Sequence, residues 1–466
     1  MSKLLHGNVA GHLARLTLPS IGGMFAIMVF NLTDTWFVSR MGKEPLAAMG
    51  FTFSVVMVAG ALAIGFSTGA ASIISRAIGN GDRALARRTV SDGLFLTIPA
   101  ILLVSVLGYT FIEPLFKTLG AEGRILELVC EYMRIWFLGA VVAIMPPVCD
   151  GCLRASGDMV RPLLVMSTCA ILNVILDPIL IFGWGPIPAM GMKGAALATI
   201  IARSVGMVTS FAFLHFRSRL VAWKLPHISE MLRSWKEILT LGIPASLTQV
   251  LNPVVQAVCI RIAAGAGGEA GVTAVAAMTT GTRIENFVFI IAISYGIAIV
   301  PFVGHNYGAQ AYDRVQTTHR LSIRLAVVYA ALSWLILLPL ARPLSGLFSS
   351  DPGVLHLSTV YLLIATLGHA GFYISNWMSQ LLNVVRRCRC FLLSHFRLRQ
   401  GQVRHRGKMP IARQVLRCAV RGLEARDLLT THRQEVTTPL QAFRAGATTP
   451  SGDTRIVGAD DLAHDP

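Results

Sequence analysis

Four ionisable residues stand inside runs that are otherwise apolar: Asp34, Asp177, Arg203 and Glu285. A charge at membrane depth is costly and is kept where it has a task. Asp34 lies in NLTDTW, and Asn31, three residues earlier, shares its helical face. Asp177 lies in NVILDPIL, with Asn173 one turn earlier on the same face. Pro178 removes the amide that would have bound the carbonyl of Val174. Two carboxylates, amide oxygens and a freed carbonyl suit Na⁺ as hard ligands, or a transported proton as acceptors. The alternatives are an interfacial carboxylate at Asp34 and a structural kink with a satisfied acid at Asp177. Glu285 follows Arg283 by two residues, so the pair does not share a face. A cavity or coupling role and a place near the outer surface both suit Glu285. Arg203 suits neutralising an acid, binding an anion or packing.

The elements that must position these residues are membrane helices. Of 466 residues 54% are apolar and 14% charged, and the mean hydropathy is +0.61. That balance excludes a disordered chain and a small disulfide scaffold, and it argues against a soluble enzyme. Ten runs long enough to span a bilayer occur near 13–38, 46–75, 90–112, 128–149, 162–183, 191–216, 236–264, 272–303, 321–341 and 354–385. The expected fold is therefore all-α and polytopic, in contact with a lipid bilayer on every outward face.

Basic residues alternate along the connections. Segments 76–89, 153–161, 217–236 and 304–324 hold 14 Lys and Arg, whereas the opposite set holds six: Arg40, Lys43, Lys117, Arg124, Lys193 and Arg342. The positive-inside rule places the first set and the N-terminus in the cytoplasm. Span one and span five then both run outward, so Asp34 and Asp177 share a depth.

The chain repeats itself after about 225–229 residues. LTLPSIGG (16–23) resembles LTLGIPAS (239–246), matching Pro19 with Pro244, and ISRAIGNGDRA (74–84) resembles VGHNYGAQAYD (303–313), matching Gly79 with Gly308. Two six-helix bundles are expected, as parallel repeats about an axis along the membrane normal. The domains read as 1–220, a first bundle with the cation site; 221–385, an incomplete second bundle of four helices; and 386–466, a basic tail. An eleventh span is due near 391–412, where Arg397, Arg399, Arg404, Arg406 and Lys408 stand instead. The tail carries 15 Lys and Arg, of which 14 are Arg, against seven Asp and Glu. A change of reading frame near residue 385 explains both features; a disordered basic tail is the alternative. Its only aromatic rings are Phe391, Phe396 and Phe443, so no nucleic-acid partner is expected.

Enzyme motifs are missing from the sequence: it has no P-loop, no H-E-x-x-H and no serine-nucleophile turn. Cys149 and Cys152 form a C-x-x-C without a second pair of metal ligands, so they read as small apolar residues. No cofactor is expected beyond a coupling ion, Na⁺ or H⁺.

These segments together resemble the multidrug and toxic compound extrusion (MATE) family. The resemblance rests on LPSIGGMFAIMVFNLTDTWFVSRMG (18–42), RAIGNGDRALARR (76–88), LRASGDMVRP (153–162), NVILDPILIFGWG (173–185), GMKGAALAT (191–199) and TGTRIENFVF with FVGHNYGA (280–309). It covers about residues 10–385, and the first-half pair of Asp34 and NVILDP resembles the DinF-like branch. The resemblance implies a monomeric antiporter that exports cationic or amphiphilic organic compounds in exchange for Na⁺ or H⁺. It implies two bundles around a V-shaped cavity and a cation site at Asp34, Asn173 and Asp177, with Thr199 from span six. Asn31, Arg203 and Glu285 are further cavity or coupling candidates. Where some relatives carry a ring hydroxyl, this chain has Phe30. Without spans eleven and twelve the chain as written is expected to transport weakly or not at all. A lipid-precursor flippase of related fold and a non-transporting membrane remnant are the competing readings.

Overall fold

A computed structural model describes residues 3–222, 228–265 and 267–385. The tail from residue 386, with its expected frame change, lies outside the described residues. Within them the regular elements are helices, joined by one isolated bridge between Trp184 and Ile187. In chain order the α-helices are α1 (Val9–Ser39), α2 (Lys43–Gly79), α3 (Arg83–Thr110), α4 (Ile112–Thr118), α5 (Gly123–Leu138), α6 (Ala140–Ala155), α7 (Val160–Phe182), α8 (Met192–Ala212), α9 (Ile228–Ala264), α10 (Gly268–Gly308), α11 (Tyr312–Gly346) and α12 (Pro352–Val385).

Short polar side chains set several of the starts. Asn8 accepts the Ala10 amide at 3.0 Å ahead of α1, and Asp82 accepts that of Leu85 at 2.8 Å ahead of α3. Asp351 does the same for Val354 at 2.8 Å ahead of α12.

Among the described residues eight helices are long and apolar enough to cross a membrane, and nine if the bent pair α5–α6 is one span. The run 236–264, the remaining expected span, lies within α9 and is helical throughout; Lys236, Glu237 and Arg261 make it more polar than the others. The apolar run 128–149 suggests one straight span, but the chain bends by 58° between α5 and α6 at Gly139. A Cβ there would stand 2.5 Å from Ile200 Cδ1, so the missing side chain is also what lets α8 approach.

The repeat is visible in the helix boundaries. A shift of 229 residues carries Gly79, the end of α2, onto Gly308, the end of α10, and Arg83, the start of α3, onto Tyr312, the start of α11. The same shift lays α5–α6 over α12 and Gly139 over Gly368. There α12 runs unbroken, and no neighbour comes within 4 Å of a Cβ built at Gly368.

The two halves meet through α2, which packs on α9 and α10, and through α10, which also packs on α1. One end of this seam gathers the N-terminus and the basic connections. Arg314 donates to the Gly7 carbonyl at 2.7 Å and to that of Leu4 at 3.2 Å. His305 Nε2 meets the Ala155 carbonyl at 2.9 Å, Arg76 donates to that of Val384 at 2.8 Å, and Arg87 to that of Val221 at 3.1 Å. The four basic segments therefore share an end with the N-terminus, as their charge pattern requires.

Candidate cation site

α7 lies between α1 and α8, in contact with both. From these three helices four oxygens are buried without a hydrogen-bond partner: Asp34 Oδ1 on α1, Asn173 Oδ1 and Asp177 Oδ2 on α7, and Thr199 Oγ1 on α8. Asp34 is 6% exposed, and Asn173 and Asp177 are fully buried. Asn173 and Asp177 are one turn apart, so Asn173 Nδ2 reaches Asp177 Oδ1 at 3.0 Å. The two aspartates lie close enough for each carboxylate to feel the other's charge. Pro178 does not interrupt α7, which runs from Val160 to Phe182.

Buried polar atoms are nearly always paired, because an unpaired one forfeits its hydration. Four unpaired oxygens on facing helices, two of them carboxylate oxygens, thus form a site short of positive charge. The donor set is all hard oxygen, which fits Na⁺, or a proton held by the carboxylates. Among the described residues no group of three or more His, Cys, Asp or Glu is placed to hold a metal ion.

Arg203 lies one turn beyond Thr199 on α8. Its guanidinium sits 4.7 Å from the centroid of the Phe30 ring, and its Nη1 is 3.9 Å from Met166 Sδ. Phe30 thus holds the arginine by its face. From there the guanidinium is within electrostatic reach of Asp34. Tyr132 of α5, only 4% exposed, stands beside Thr199 and within reach of both aspartates. Sequence reasoning misses Tyr132 because a tyrosine in the run CEYMRIW looks like any packed ring; only the contact of α5 with α8 reveals its place.

Two of the cavity or coupling candidates lie outside this group of oxygens. Asn31 is exposed, although it lies only three residues from Asp34. Glu285 belongs to a separate network in the second half. Its Oε1 meets His369 Nε2 at 3.1 Å, its Oε2 accepts from the Tyr361 hydroxyl at 2.9 Å, and Tyr373 OH meets His369 Nδ1 at 3.2 Å. Both oxygens of Glu285 are satisfied, and the residue is 6% exposed. Cys149 and Cys152 are fully buried free thiols that pack as small apolar residues.

Comparison with known proteins gives one family. The MatE family pattern matches residues 19–179 and again 244–393. The two matched segments begin at Pro19 and Pro244, the pair aligned by the internal repeat. The chain is 36% identical over 361 residues to an FAD transporter of Shewanella oneidensis, covering 78% of this chain and 79% of that one. It is 28% identical to a probable multidrug resistance protein NorM of Thermotoga maritima, covering 74% of each. Among solved structures it is similar to the Vibrio cholerae MATE transporter VcmN in its bent form, with a TM-score of 0.74 and 28% identity, over 81% of this chain and 84% of that one.

Proposed function

The chain belongs to the MatE family, and from that premise we propose that it is a cation-coupled antiporter whose coupling site is Asp34, Asn173, Asp177 and Thr199. It is a polytopic membrane transporter and not an enzyme. One observation carries the coupling site: four buried oxygens on α1, α7 and α8 lack partners, and a bound cation supplies what they lack.

A cation drawn in by Asp34 and Asp177 stabilises the arrangement of α1, α7 and α8 that brings these oxygens together. The substrate favours a different arrangement of the same half. Exchange follows when each ligand binds the two arrangements with different affinity, since equal affinity shifts nothing. The halves are in contact at the end that carries the basic connections, which the positive-inside rule assigns to the cytoplasm. Parting of that seam admits substrate from the cytoplasm, and its closing commits the substrate to release on the other side.

The exported substrates are small cationic or amphiphilic organic compounds. A flavin dinucleotide is the second reading, favoured by the 36% identity to an FAD transporter. Purified protein in liposomes, driven by a Na⁺ gradient or a pH gradient, tests both with a fluorescent organic cation and with FAD. Slow efflux of one compound, dependent on one gradient and lost in Asp34→Asn, is the expected result. Gradient-driven efflux that persists in Asp34→Asn would refute the coupling site.

A further inference from the structure

One face of α8 carries polar character from the cation site to the opposite end of the first half. Thr199, Arg203, Gly206 and Ser210 recur at helical spacing and lie above one another. At its rise per residue, α8 separates Thr199 from Ser210 by about 16 Å, roughly half the hydrocarbon thickness. The far end meets α6. There Ser210 Oγ donates to Asp150 Oδ1 at 2.8 Å. Asp150 is fully buried, and its Oδ2 has no hydrogen-bond partner. Gly206 keeps α8 near α6 and α7: a Cβ there would collide with Cys169 Sγ and stand 3.8 Å from Pro146 Cγ. Arg203 stands between the two acidic places, within electrostatic reach of both Asp34 and Asp150.

We propose that Asp150 is a second proton-holding carboxylate, which exchanges protons between the Asp34–Asp177 site and the basic end of the molecule, with Arg203 as the shared counter-charge. The inference rests on the coupling-site reading above. The chemistry is a proton's and not a metal's. A hard metal cation gathers oxygens from several groups, whereas the one side chain that Asp150 binds is the Ser210 hydroxyl. The step balances with water as the carrier: a carboxyl at Asp34 or Asp177 gives up H⁺ to water, water brings it along the polar face of α8 to a lone pair on Asp150 Oδ2, and water on the basic side receives it. While Asp150 holds the proton, Arg203 is free to answer the charge of Asp34. While the outer pair holds it, Arg203 answers Asp150.

The surroundings of Asp150 agree with that role. Its ionisable neighbours are Cys149, Cys152 and Arg154 on α6, Cys169 on α7 and Arg203 on α8. From α2 comes Ser67, whose hydroxyl faces the Pro147 carbonyl at 3.5 Å. None of these neighbours is a carboxylate, so Asp150 is the proton acceptor of its locality. Five residues further on, the Ala155 carbonyl at the end of α6 is covered by His305 of the second half at 2.9 Å. Parting of the seam uncovers this end and lets water in, so that release at Asp150 is timed by the movement of the halves. Glu285 makes an instructive contrast, since both of its oxygens are satisfied by Tyr361 and His369.

Infrared difference spectroscopy of the full purified chain, recorded as pH is varied, reads protonated carboxyl groups by their carbonyl stretch and needs no transport. One titrating band is expected to vanish in Asp150→Asn and to return in Asp150→Glu. In Asp34→Asn the Asp150 band is expected to shift its midpoint, because Arg203 is then released to Asp150. A spectrum unchanged in Asp150→Asn overturns the proposal. So does an Asp150 band indifferent to Asp34→Asn, which would leave the coupling site to stand on its own efflux test. Should Asp150→Asn not fold, Ser210→Ala removes only the hydroxyl and is expected to move the band; an unmoved band counts against the relay. In liposomes, substrate-coupled proton flux is expected to fall about a hundredfold in Asp150→Asn, the lower range of what a positioned proton-transfer group supplies, and to recover in Asp150→Glu.

Discussion

Gly79 and Gly308 close the seam between the halves reciprocally: each lies against the backbone carbonyl three residues before the other, that of His305 for Gly79 and that of Arg76 for Gly308. Each glycine ends its helix, α2 or α10, and the repeat of 229 residues carries one onto the other. Ser75 and Gly304, related by the same shift, touch each other across the seam. The internal pseudo-twofold axis therefore passes through the crossing of α2 and α10. Nothing larger than hydrogen fits at the two glycine contacts, because the neighbour in each case is fixed backbone.

Gly79→Leu or Gly308→Leu is accordingly expected to hold the halves apart at the basic end. Overpacking of this kind costs about 1–3 kcal/mol, which shifts a two-state population by about fivefold to a hundredfold. A cysteine placed at Ser75 reports the change through its reaction with a membrane-impermeant thiol reagent, slow in the parent and faster in either leucine variant. Equal reactivity in all three proteins would exclude this seam as a gate.

Four unpaired oxygens predict a cation-dependent stability. Na⁺ in place of choline is expected to raise the Tm of the purified protein, by the equivalent of about 2.7 kcal/mol when Na⁺ stands a hundredfold above its Kd. Asp177→Asn and Thr199→Val each remove a ligand and are expected to abolish most of the rise. Acid is expected to diminish it, because protons compete for the same carboxylates. A Na⁺ response of full size in Asp177→Asn would place the ion elsewhere.

The sequence exposes Asp34, Asn173 and Asp177 because a charged residue inside an apolar run has few explanations, and the i, i+4 spacing places Asn173 over Asp177. It exposes the helix order and the duplication for the same reason: each is written in one dimension, as runs or repeats. Tyr132, Asp150 and His369 are not legible that way. Asp150 sits beside the C-x-x-C and near Arg154, where an acid looks like part of a polar turn; its burial depends on α8 packing over α6. His369 is unremarked in hydropathy terms, and its link to Glu285 spans 84 residues. Asn31 shows that burial is not shared along a helical face. Sharing a face with Asp34 within a helix does not ensure sharing its neighbours, and the packing of α7 against α1 buries the one and leaves the other exposed. The bend at Gly139 is likewise a tertiary effect, since Gly368 at the equivalent place leaves α12 unbroken.

Glu285 and His369 tie α10 to α12, and the satisfied geometry predicts a structural task. His369→Ala takes away one of two donors to a buried carboxylate and is expected to cost about 3–5 kcal/mol of stability. The double variant Glu285→Leu with His369→Leu removes the charge together with its partner. It is expected to be markedly more stable than His369→Ala alone, because no buried charge is left unanswered. Thermal unfolding in detergent measures both. A double variant as unstable as the single one would mean that the pair does more than clamp two helices.

The repeat makes its last demand beyond Val385. The shift that superposes α2 on α10 and α5–α6 on α12 carries α7, the helix of Asp177, onto residues 389–411, where the chain has Arg397, Arg399, Arg404 and Arg406. An apolar helix is due there on symmetry, and a second one after it. Reading the coding DNA past codon 385 in the other two frames is expected to reveal two apolar stretches of about 20 residues each, the length a membrane helix needs. A chain rebuilt in that frame is expected to move substrate in liposomes at a rate well above that of the chain as written, because α10–α12 then regain the helices their repeat partners pack against. Two frames without such stretches, or equal transport by both chains, would make the arginine-rich tail a genuine part of this transporter.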